Sequence, residues 1–90
     1  MIDEEKAIAA VGEAGVALYK KILDDIQKLE GVGSSGRIGG KLSIICKIKG
    51  KGPVYIDIYK DRVNMQLANK SYEDISRERC LVEFETFLKD

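Results

Sequence analysis

The sequence contains no histidine. That absence removes the commonest general base and the commonest metal ligand together. Only two cysteines occur, Cys46 and Cys80. They are far apart in sequence and have no histidine beside them, so they give no zinc pattern. Two thiols are also too few for a disulfide framework. Cys46 falls in the inward register of a strand and reads as a small buried apolar residue. A Cys46–Cys80 bridge is disfavoured in a reducing compartment.

No apolar run is long enough to span a bilayer. The first six residues, Met1-Ile2-Asp3-Glu4-Glu5-Lys6, are acidic where a secretory signal would be basic. A cytoplasmic chain with no membrane partner is expected. There is no excess of either charge: 15 Lys and Arg balance 15 Asp and Glu, so no overall field draws the chain to nucleic acid or lipid.

Catalytic patterns are missing too. There is no G-x-S-x-G elbow and no P-loop lysine. Ser34, Ser35 and Lys41 are the nearest approach to a serine–lysine pair, and they sit in a glycine-rich stretch with nothing to hold their geometry. Asp24-Asp25 and Asp3-Glu4-Glu5 are sequence neighbours, which point to different faces of a helix. A non-enzymatic chain with no cofactor and no metal is the expectation.

What is present centres on residues 41–68. Leu42, Ile44, Cys46 and Ile48 alternate with mostly polar residues. Val54, Ile56 and Ile58 do the same, as do Val63, Met65 and Leu67. Period two with one apolar side is the pattern of an antiparallel sheet with one buried face. If Tyr59 pairs with Arg62 around Lys60-Asp61, then Ile58 meets Val63, Ile56 meets Met65 and Val54 meets Leu67. Gly50-Lys51-Gly52 connects the first two strands, with Ile48 expected opposite Val54. Pro53, the one proline, is tolerable at the start of a strand.

Residues 3–30 read as one long helix capped by Asp3 and ended by Gly31. Ile8, Val11, Gly15, Leu18, Ile22, Ile26 and Leu29 form one stripe. A helix of this length runs on the order of 40 Å, against about 23 Å for a seven-residue strand. It therefore overhangs its sheet. Gly12 and Gly15 each cost about 1 kcal/mol inside a helix. Two explanations are open: a break near Gly12 to Gly15, or close approach of a second helix at Val11, Gly12 and Gly15, from another copy or a partner.

Residues 31–40 read as a loop. They contain a literal G-x-G-x-x-G at Gly31, Gly33 and Gly36, but a helix precedes it and a strand follows. That is the reverse of the dinucleotide-binding order. Ser71 with Asp74 resembles a helix start, which predicts a short helix over about 72–78. Residues 80–88 fit a helical face through Cys80, Leu81, Phe84, Phe87 and Leu88 better than a fourth strand through Val82, Phe84 and Thr86.

The fold class expected is α+β in a single domain. A long N-terminal helix (1–30) and a glycine-rich loop (31–40) lead to a β-meander (41–68) of three strands, or four if the C-terminal run is a strand. A helical segment, or a helix plus a strand, follows over 71–90. Two surfaces are left over. The polar sheet face carries Ile45, Tyr55, Tyr59 and Gln66, which suit a protein interface. The segment 37–51 carries Arg37, Lys41, Lys47, Lys49 and Lys51 with no acid, which suits an anion or single-stranded nucleic acid.

Gly50-Lys51-Gly52-Pro53-Val54-Tyr55, Val63-Asn64-Met65-Gln66-Leu67 and Ser71-Tyr72-Glu73-Asp74-Ile75 together resemble sterol-carrier-protein-like domains over under half the chain. That resemblance implies lipid carriage as an alternative. The leading expectation is a small interaction protein, an adaptor or inhibitor that binds a protein partner and forms a homo-oligomer.

Overall fold

The structure is a computed structural model. It describes residues 3–29 and 33–90, with residues 33–38 described by backbone alone. The chain runs α1 (Glu4–Gln27), β1 (Gly33–Ile38), β2 (Leu42–Ile48), β3 (Gly52–Ile58), β4 (Val63–Leu67), β5 (Lys70–Ile75) and α2 (Arg77–Lys89). The strands form one antiparallel meander in the order β1-β2-β3-β4-β5. Both helices lie on one face of it: α1 over β1, β2 and β3, α2 over β4 and against α1. The fold is α+β, a helix packed on a meander with a C-terminal helix, as the alternation of residues 41–68 implies.

The β3–β4 hairpin has the expected register. Ile58 faces Val63, Ile56 faces Met65 and Val54 faces Leu67, and the Tyr59 N–H donates to the Arg62 carbonyl at 2.9 Å. The β2–β3 register differs by two residues from expectation. Ile48 faces Gly52 and Cys46 faces Val54, so the connection is Lys49-Gly50-Lys51, with Gly50 at φ 82. A shift of two preserves which side chains face inward, so the core composition is unaffected. Pro53 lies one residue outside the β3–β4 ladder, which ends at the Val54–Leu67 pair. Its carbonyl accepts from Ala68 N–H at 2.8 Å, so its nitrogen points the same way, toward the turn where β4 ends.

Two strands occupy stretches that read as loop and helix. The glycine-rich residues Gly33–Ile38 form β1 rather than a connector, paired residue for residue with β2. Strand propensity is overridden by context: β2 is apolar on its inner side and needs a partner at its outer edge. Gly33 and Gly36 are thus sheet residues, while Gly31 lies outside the described residues.

Residues 70–75 form β5 rather than a helix over 72–78. Tyr72 and Ile75 are three apart, a helical spacing. A bulge sets Glu73 and Asp74 opposite the single Asn64, and this brings Tyr72 and Ile75 to the same face of a strand. Asp74 takes φ 53 and its N–H is held by Asn64 Oδ1 at 2.9 Å. The cap of α2 is Ser76, which accepts from Arg79 N–H at 3.1 Å, not Ser71. Residues 80–88 are helical, the favoured of the two readings.

The long helix is broken. Asp3 caps it as expected, accepting from Lys6 N–H at 3.3 Å. Gly12, however, sits at φ 79, ψ 167, a region essentially reserved for glycine, and the chain folds back there. The salt bridge Lys20–Glu4 at 2.5 Å joins residues that an unbroken helix would hold about 24 Å apart. A Cβ on Gly15 would lie 2.8 Å from Val11 Cγ2. The close neighbour of Gly15 is therefore this chain's own first half, not a second copy.

The bend also rotates the apolar stripe. Ala7 is fully buried and Ile8 is 37% exposed, where a continuous helix would bury Ile8. The Cα radius of gyration, 12.1 Å, matches the roughly 12 Å of a globular chain this long and leaves no projecting rod. The second half ends at Gln27, with Leu29 N–H donating to the Ile26 carbonyl at 2.9 Å. The capping role expected of Gly31 falls outside the described residues.

The core lies between the helices and the inner sheet face. Ile22, Ile26 and Val11 from α1 and Phe84 and Cys80 from α2 meet Leu42, Ile44, Val54, Ile56, Ile58 and Val63, all essentially without solvent contact.

Candidate functional site: the uncovered sheet face

Because both helices pack on one face, the other is left open. Alternation along each strand assigns its residues. Ile45, between buried Ile44 and Cys46, is 44% exposed; Tyr55, between buried Val54 and Ile56, is 45% exposed. The register sets Ser35, Ile45, Tyr55, Gln66 and Ser71 in one row across all five strands. A concavity of about 200 Å³ adjoins the row, its lining including Tyr55, Asp57, Asn64, Gln66, Ser71 and Glu73. Gln66 Nε2 donates to the Ala68 carbonyl at 3.0 Å, which orients its amide.

A second row crosses Ser43, Asp57 and Asn64. Ser43 is almost fully buried, and its hydroxyl donates to Asp57 Oδ1 at 2.7 Å. Lys41 Nζ reaches Asp57 Oδ2 at 3.2 Å. The hydrogen bond to Asp57, then its charge, hold the Lys41 ammonium above its ordinary pKa, so Lys41 is a cation and not a base. Ser43 donates its hydrogen bond to a carboxylate that Lys41 already pairs. This cluster holds the sheet face together and has no activated nucleophile.

Tyr59 closes the end of the face. Arg62 stacks on its ring, with Cζ 4.1 Å from the centroid, and Lys41 Nζ lies at 5.8 Å. Arg62 also bridges to Asp74 at 3.2 Å and to Asp61 at 3.1 Å.

The basic segment does not form one patch. Lys41 is committed to Asp57. Lys51 donates to the backbone carbonyl of Asp90 and lies over the Phe87 ring at 5.6 Å. Lys47 and Lys49 are exposed and have no ion pair among the described residues. Arg37 is described only as a backbone position in β1. Of the helix residues expected at an interface, Val11 and Gly15 are buried inside the chain and Gly12 makes the bend. Val11 and Gly15 therefore present no surface, and Gly12 is half-buried.

Other concavities are open and mixed. One of about 280 Å³ lies between the halves of α1, lined by Glu4, Ile8, Glu13, Val16, Ala17 and Lys20. Another of about 140 Å³ lies between the β4–β5 turn and the end of α2. Both cysteines are free and buried, and burial pushes the Cys80 thiol up to about 12. Cys80 Sγ lies 3.7 Å from Met65 Sδ. Among the described residues no group of acidic or thiol side chains is placed to hold a metal ion, and no helix is long and apolar enough to cross a membrane.

The sequence pattern brought Ile45, Tyr55, Tyr59 and Gln66 to this face. It did not pick out Ser71 and Glu73, because both belong to a strand read as a helix start. The Ser43–Asp57 pair depends on the observed β2–β3 register; the expected one, with Ile48 opposite Val54, sets Ser43 opposite Tyr59 and hides it. Comparison with protein-family models, with curated proteins and with solved structures finds no match to this chain.

Proposed function

We propose that the chain is a non-enzymatic interaction protein that docks a partner protein on the uncovered sheet face. Ile45 and Tyr55 are the central anchors, and Tyr59 and Gln66 form the rim. The observation that carries this reading is the in-register row Ile45–Tyr55–Gln66 on a face that neither helix covers. A rigid tyrosine beside an exposed isoleucine supplies contact area at low entropic cost, and such residues dominate interface energetics. The exposed Lys47 next to this row favours a partner that is acidic at that end.

The test compares partner capture by the wild-type chain, Tyr55→Ala, Ile45→Asp and Val82→Asp. Val82 is 62% exposed on α2, on the helix-covered side. Affinity is expected to fall on the order of 30-fold or more for Tyr55→Ala and to be unchanged for Val82→Asp. Capture that survives Tyr55→Ala and Ile45→Asp overturns the reading.

A second reading rests on exposed Lys47, two residues along β2 from the partner of Tyr55, and exposed Lys49 in the turn beyond it: stacking of a single-stranded nucleic acid base on the tyrosine with phosphates on the lysines. Its binding would weaken steeply with salt. Titration of an oligonucleotide at two salt concentrations separates it from the first.

A further inference from the structure

We propose that two copies of this chain associate by pairing β1 against β1, antiparallel about a two-fold axis normal to the sheet, so that two five-stranded sheets join into one. The inference does not depend on the docking reading, because it uses an edge of the sheet and not its face.

The two edges of the meander are built differently. β5 carries the devices that block strand addition. Lys70, Glu73 and Asp74 are exposed along it, a bulge interrupts its register, and Asp74 is turned to φ 53 with its N–H occupied by Asn64. β1 has neither the bulge nor the turned residue. Its six residues pair with β2 without irregularity, it has no proline, and Arg37 is its one charged residue. Among the described residues no element lies beyond it in the sheet. An edge strand directs alternate N–H and C=O groups outward, so the complement of this edge is another extended backbone.

A second copy supplies that backbone best. With the axis at Ser35, Ser35 faces its own mate, Ser34 faces Gly36 and Gly33 faces Arg37. The one charge on the strand meets a glycine and not another arginine. A formal net charge of zero adds no long-range repulsion between copies. A free peptide could make the same hydrogen bonds, but it must be ordered first, whereas β1 is already held extended by β2. An axis normal to the sheet keeps the helices of both copies on one side and places both Ile45–Tyr55–Gln66 rows on the other.

The seam is short and belongs with weak interfaces, with a dissociation constant on the order of 0.1 mM. Sedimentation velocity of the whole chain should therefore show monomer passing to dimer as concentration rises through that range. Ser35→Lys sets two like charges against each other at the seam and should weaken the dimer about 10-fold or more.

Ser71→Lys is the control. Ser71 ends the same cross-strand row on the opposite edge, is exposed, and its substitution should leave the dimer constant unchanged. Amide exchange on the same samples guards against misfolding: β2, β3 and β4 should stay protected in both variants. Ser35→Cys provides a second readout. Residues directly opposed in a ladder sit within disulfide reach, so mild oxidation should yield a 35–35 linked dimer, and Ser71→Cys should not. A chain that stays monomeric at about 1 mM, well above the expected constant, overturns the proposal. So does a dimer that survives Ser35→Lys, or one that Ser71→Lys dissolves. Tyr55→Ala should leave the dimer intact, which keeps this outcome separate from failure of the docking reading.

Discussion

Gly12→Ala tests how α1 uses its glycines. Gly12 has open space where a Cβ would stand, with nothing within 4 Å, so the substitution makes no clash and reports on the backbone alone. An alanine held at φ 79, ψ 167 costs about 1–3 kcal/mol. The chain has one escape, which is to straighten the helix. That gains about 1 kcal/mol of helix propensity but pulls residues 4–11 off the core. Val11, 1% exposed, would then lose about 1.5–3 kcal/mol of burial and the Ala7 methyl about 0.8 kcal/mol more.

Either route leaves a net loss of about 1–3 kcal/mol, or very roughly 5–20 °C in Tm for a domain of this size. Urea unfolding measures the loss. Spin labels at positions 4 and 20 tell the routes apart: they stay in near contact if the bend persists and move to about 24 Å if the helix straightens. An isolated straight helix would instead gain from alanine. A Gly12→Ala chain as stable as the wild type, or more so, would refute the fold-back.

Cys80 titrates upward on folding, to about 12 from 9.0. The unfolded chain thus loses this proton first, so stability is full below about pH 9 and declines as pH rises toward 12. The same burial predicts that iodoacetamide at mildly alkaline pH labels Cys80 only as the chain unfolds, in step with the loss of circular dichroism. Phe84→Ala should cost about 3–5 kcal/mol, since Phe84 is fully buried. Tyr55→Ala should fall within about 0.5 kcal/mol of wild type, as surface changes do, and equal losses in chemical denaturation would contradict the assignment of faces. Asn64→Ala strands the Asp74 N–H and should cost about 0.5–1.5 kcal/mol, with faster exchange at that amide and at its neighbours in β5.

The meander was legible because its alternation is nearly unbroken. Leu42 to Ile48, Val54 to Ile58 and Val63 to Leu67 each state their inner face directly, and apolar pairing fixed the β3–β4 register. The β2–β3 register slipped by two because both alignments set apolar residues opposite apolar ones, and only the turn geometry at Gly50 decides between them. β1 was hidden because its glycines and serines carry no pattern; what makes it a strand is the open edge of β2. β5 was hidden by its bulge, which converts a spacing of two into one of three and so imitates a helix. In α1 the two glycines signal that something must offset their cost, but whether a bend or a second helix does so depends on tertiary contact between residues 4 and 20. The face of the candidate site followed from strand parity, whereas its extent toward Ser71 and Glu73 required β5.

One side of the sheet is covered by helices and the other is open among the described residues. Solvent paramagnetic relaxation on the dilute monomer tests it with neighbours in sequence. A soluble paramagnetic agent should broaden the Ile45 methyls and the Tyr55 ring and spare Ile44 and Ile56, whose relative exposures are 44%, 45%, 0% and 0%. Broadening that treats Ile44 and Ile45 alike would contradict it, because no arrangement of helices on a single face can shelter both.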